Sequence, residues 1–117
     1  MKKIVCTLIF LLLTNFSLAA MSGDGSSNQE NLYKAAKKLV VKAKKLEKKD
    51  KLEKALKLYS KAYDKLLKAC DKDKKNPDIL NYLGFTLRKV GNFEEAEKFY
   101  LAGLEIKPDH NGINEYL

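Results

Sequence analysis

The chain has 117 residues, is 45% hydrophobic and 32% charged, and carries a formal net charge of +8. That length suits one small domain. With one histidine and two cysteines, no Cys/His cluster of metal-ligand spacing is present, so a structural zinc site is excluded.

In chain order, Met1-Lys2-Lys3 precedes an apolar run over residues 4–13, and Ser17-Leu18-Ala19 supplies small residues for cleavage. This is the form of a secretory signal over residues 1–20, cut after Ala19 or Ala20. A periplasmic or secreted protein is the expectation. Its apolar core of about ten residues is shorter than the roughly 20 needed to span a bilayer. An uncleaved N-terminal membrane anchor is the alternative. Cys6 falls inside the signal, which leaves Cys70 alone in the mature chain, expected as a buried thiol without an internal disulfide. Residues 21–27 are Ser- and Gly-rich and read as a flexible linker. Ser27 with Glu30 forms a capping box, so a helical domain over 28–117 should open near Asn28.

Two segments then share one apolar pattern. Leu39, Ala43, Leu46, Ala55 and Tyr59 recur 41 residues later as Leu80, Gly84, Leu87, Ala96 and Tyr100. In the second copy, Leu80, Leu83 and Leu87 make one helical stripe. Small residues at Gly84 and Ala96 let two helices approach closely. Phe93, Ala96, Tyr100, Gly103 and Leu104 are the expected answering stripe. Asn76-Pro77-Asp78 starts the first helix, with Pro at its first position. Gly91-Asn92 breaks the chain, Asn92 with Glu95 caps the second helix, and Lys107-Pro108 ends it. Lys42 stands in the first copy where the second has Leu83.

The set Leu80-x2-Leu83-Gly84-x2-Leu87, Ala96-x3-Tyr100 and Pro108 resembles the tetratricopeptide repeat, a 34-residue helix–turn–helix. The resemblance implies an all-α fold of stacked antiparallel helical hairpins. Repeat one would cover about 36–76, repeat two 77–110, and a partial third repeat 111–117, begun by Ile113, Tyr116 and Leu117. The array is expected to be truncated inside that third repeat. The 41-residue offset exceeds the repeat by seven residues, about two helical turns. Two whole turns lengthen a helix without rotating its apolar face. The second helix of repeat one should therefore run over 52–73, with Leu56, Tyr59, Tyr63, Leu66, Leu67 and Cys70 along its stripe.

The same resemblance implies a non-enzymatic module that binds a protein or peptide in a groove lined by the first helix of each hairpin. By position, that groove would present Asp78, Asn81, Tyr82, Phe85, Arg88 and Lys89 from repeat two. Repeat one would add Lys37, Val40, Val41, Lys44 and Lys48. The spacing of Asn81, Phe85 and Arg88 does not reproduce the Lys/Asn/Arg carboxylate clamp of some family members. No cofactor, metal or small-molecule substrate is indicated. His110, beside a turn, is expected in solvent. Residues 30–75 hold 17 lysines against 7 carboxylates, net +10, whereas 76–117 hold 4 basic and 7 acidic residues, net −3. The alternative function is therefore electrostatic attraction of a polyanion or anionic membrane surface by the first hairpin. Pairing of basic and acidic hairpins between copies offers a route to self-association.

Overall fold

The structure, a computed structural model, describes residues 25–72 and 75–117. The signal of 1–20 and the first part of the 21–27 linker lie outside the described residues. Five helices follow in order: α1 (Gly25–Lys48), α2 (Leu52–Lys72), α3 (Pro77–Lys89), α4 (Phe93–Ile106) and α5 (Asn111–Tyr116). Among the described residues there is no strand. α1 packs on α2 and α3 on α4; α2 against α3 joins the two hairpins, and α5 rests on α4. The fold is all-α, a stack of helical hairpins.

α2 matches the 52–73 expectation to within one residue at its end. Its Tyr59, Leu66 and Cys70 are fully buried, with Leu56, Tyr63 and Leu67 packed at the edge of the core. The seven extra residues are thus helix, not loop. One expectation needs correction. α1 already includes residues 25–27, because a helix docked along its length propagates outward cheaply.

The first-helix C-termini end alike. The Lys51 amide donates to the Leu46 carbonyl at 2.9 Å and the Asp50 amide to Glu47 at 3.0 Å. Forty-one residues on, Asn92 donates to Leu87 at 2.8 Å and Gly91 to Arg88 at 3.1 Å. Both are Schellman closures, which need one left-handed residue. Gly91 supplies it at φ +90°, and Asp50 at φ +58°. Asp bears a Cβ penalty there that Gly escapes. Asp50→Gly is expected to raise unfolding free energy by about 0.5–1 kcal/mol. Urea unfolding should show a higher midpoint at unchanged slope; a lower midpoint would contradict this account of the turn.

The next helix starts are capped as their residues suggest. The Asn76 side chain accepts from the Asp78 and Ile79 amides at 2.9 and 3.3 Å. That of Asn92 accepts from Glu95 at 3.4 Å. His110 is a correction: it is 8% exposed and caps α5. Its Nδ1 accepts from the Ile113 amide at 3.2 Å, and Nε2 lies 2.7 Å from Asp78 Oδ1. An accepting Nδ1 leaves the neutral ring's proton on Nε2, where it donates to the carboxylate. The ring thus ties α5 back to the start of α3, a role its position in the turn did not reveal.

The core repeats with the sequence. Ala43, Ala55 and Tyr59 are fully buried, as are their counterparts Gly84, Ala96 and Tyr100. Tyr100 lies across Gly84, and α5 adds Ile113, also fully buried. Phe93 does not join the answering stripe: it is 62% exposed, and Phe99 fills the core instead. Phe93 opens α4, ahead of the turn that faces α3.

Candidate functional site

α1 and α3, the first helices of the two hairpins, face each other across a groove. At one end, Tyr33 of α1 meets Tyr82 of α3 edge-on, with ring centroids 5.7 Å apart. At the other, Lys89 of α3 reaches the Glu47 carboxylate of α1, with its Nζ 3.0 Å from both oxygens. The Tyr59 hydroxyl donates to the same carboxylate at 2.7 Å. Three elements therefore converge on Glu47. Burial raises its carboxyl, but the bonds from Tyr59 and Lys89 and the charges of Lys89 and Lys44 win, and it stays below the usual carboxylate range. Burial pushes the Tyr33 hydroxyl up to about 12, helped by Asp78.

Beside this junction lies a pocket of about 460 Å³, within the range that binds small ligands and single side chains. Its apolar surface comes from Phe85, Phe93 and Tyr116. Phe85 is buried and meets Tyr59 at 6.0 Å and Tyr116 at 5.6 Å, both edge-on. Its rim is Lys44, Lys48, Arg88 and Lys89. Lys44 sits 4.8 Å over the Phe85 ring, and Arg88 lies 5.9 Å from Phe93 and 5.8 Å from Tyr116. Cations over aromatic faces are held by the ring quadrupole while their outer sides stay wet.

The structure sorts the sequence-derived groove residues. Lys44, Lys48, Phe85, Arg88 and Lys89 come together around the pocket. Tyr82 stands on the same face through Tyr33, where Lys37 also lies 4.8 Å over the Tyr33 ring. Asp78 is exposed and bonded to His110; Asn81 is half-buried. Val41 is exposed but belongs to a separate shallow depression with Lys34, Lys38 and Lys42. Val40 is a correction. It is 2% exposed and sits in the core, in line with Ala36 and Ala43, so no ligand can touch it. The 36–40–43 spacing is a helical core stripe and was a readable signal for that.

Glu47, Phe93, Tyr33 and Tyr116 were missed. Glu47 is a lone carboxylate amid lysines, and its partners are 12 and 42 residues away. Tyr116 comes from α5 and stacks on Tyr100 at 6.0 Å, nearly parallel.

The two copies treat their buried tyrosine differently. Tyr59 has Glu47 as acceptor. The residue 41 positions after Glu47 is Arg88, which can only donate, and the Tyr100 hydroxyl is buried without a hydrogen-bond partner among the described residues. Tyr59→Phe is expected to cost about 1 kcal/mol, whereas Tyr100→Phe should be neutral or stabilising. Thermal unfolding of the pair checks this; equal losses would refute it.

The family model described as Tetratricopeptide repeat matches residues 65–98. Over those residues the chain is similar to a tetratricopeptide repeat. The matched window takes in the end of α2, all of α3 and the start of α4. It begins twelve residues before Pro77, as a stack of like hairpins has no unique origin. Outside the window, the repeat character rests on the 41-residue correspondence of buried positions and turns. No curated protein and no solved structure matches the chain. Among the described residues, no group of His, Cys, Asp or Glu is placed to hold a metal, and no helix is long and apolar enough to cross a membrane.

Proposed function

We propose that the chain binds a segment of another protein in the groove between α1 and α3, acting outside the cytoplasm, in the periplasm or secreted. A tetratricopeptide repeat suggests a protein–protein interaction module. The observation that carries the groove assignment is the pocket where Phe85 is flanked by Lys44, Lys48, Arg88 and Lys89. It is concave, aromatic and built from both first helices. The location outside the cytoplasm is supported by the signal-like residues 1–20.

A photo-crosslinking residue at position 44, in the groove, and one at position 61, exposed on α2, test the reading in intact cells. Adducts of defined mass at 44 but not at 61 are expected. Equal adducts at both positions, or none at 44, would overturn it. Fractionation of the same cells should place the adducts in the periplasm or medium; retention in the cytoplasm would refute the location.

A further inference from the structure

We propose that the pocket at the Lys89 end of the groove selects an acidic peptide segment bearing an aromatic or large aliphatic side chain. This rests on the interaction-module reading and specifies its partner. The pocket gathers four cations and one carboxylate. That carboxylate, Glu47, is already engaged by Lys89 and Tyr59. Lys44, Lys48 and Arg88 make no ion pair among the described residues, yet Lys44 and Arg88 are fixed in place over aromatic rings. Pre-placed cations with wet outer faces suit incoming carboxylates, because less ordering is needed on binding.

The apolar part of the pocket demands the second element. Phe93 is 62% exposed at the mouth, and Phe85 and Tyr116 meet edge-on beneath it. An exposed aromatic beside a concave apolar floor gains by covering one bulky side chain. Carboxylates alone leave that floor wet, and an apolar peptide alone leaves the cations without partners.

The extent of the charge argues for a short acidic segment over a long polyanion. Toward the other end of α3, Asp78 is exposed and the tyrosine pair Tyr33–Tyr82 takes over. Lys37 lies over the Tyr33 ring at that end, but the four-cation cluster stands only at the Lys89 end. The lysines at 34, 38 and 42 line a different depression, which Lys37 also borders, and do not extend that cluster.

The test uses labelled synthetic peptides and fluorescence anisotropy on the whole chain. The reference peptide has one Phe flanked by Glu residues; companions replace Phe with Ser or every Glu with Lys. Single-stranded DNA of equal charge is a further arm. The reference peptide should bind, and more weakly as salt rises. Its Ser and Lys companions should each lose about tenfold or more in affinity. Amidated and free-acid forms of the reference should bind equally, which separates side-chain carboxylates from a chain terminus. Lys44→Glu with Arg88→Glu should also lose about tenfold or more, with unchanged circular dichroism. The proposal fails if the Ser peptide binds as well as the reference, if amidation abolishes binding, if DNA binds more tightly, or if the double variant binds normally. Position-44 adducts in cells alongside any of these results would leave the interaction module standing and remove only its acidic partner. A rise in solution mass on lowering salt, with no peptide binding, would instead make a second copy the occupant and overturn the proposal.

Discussion

Leu83→Ala should lower unfolding free energy by about 2–5 kcal/mol, while Lys42→Ala should change it by no more than about 0.5. The two residues hold the same place in their hairpins, 41 positions apart. Leu83 is fully buried and Lys42 is exposed. Their neighbours explain the difference. α3 is packed by α4 and also by α2 of the preceding hairpin, whereas α1 packs mainly on α2. Removing three buried carbons forfeits both transfer energy and contacts with walls that cannot fully collapse. A small domain holds only about 5–15 kcal/mol in total, so the variant should lose much of its urea resistance. A loss under about 1 kcal/mol would mean that Leu83 is not part of a closely packed core.

Gly84→Ala is the second large effect. A Cβ at Gly84 would stand 2.5 Å from Tyr100 Cε1 and 2.6 Å from Cδ1. The ring has little room to retreat, since Tyr116 is stacked on it nearly parallel. Overpacking of this kind costs about 1–3 kcal/mol. Alanine returns about 0.5–1 kcal/mol through helix propensity. The net loss should be about 0.5–2 kcal/mol, the difference of those two. Tyr100→Leu in the same chain should relieve the clash, so the double variant should be more stable than the two losses added together. Strict additivity would show that the ring is not the obstacle. Ala43, the counterpart of Gly84, is fully buried beside a fully buried Tyr59, so the first hairpin accommodates the extra methyl.

These two positions also show where the sequence was readable. Leu80, Leu83, Leu87, Ala96 and Tyr100 report helix period and close approach, both local properties, and all five are buried. The length of α2 was legible because an insertion of whole turns keeps the stripe on one side. Phe85, Arg88, Lys89, Lys44 and Lys48, which the family resemblance set on one face, lie together around one pocket. Val40 failed because it lies at the boundary between core and groove, where one residue is about 100° of rotation. Glu47 and Tyr116 were not legible as site residues, since their roles arise only when separate helices stack. His110 was invisible for the same reason: its carboxylate partner is 32 residues away.

The unequal helices carry a geometric consequence. α2 has 21 residues and its counterpart α4 has 14; at about 1.5 Å per residue, the difference is roughly 10 Å. The extra length belongs to a second helix, and no α2 residue lines the pocket at the groove, so it lengthens the first hairpin without changing that pocket's wall.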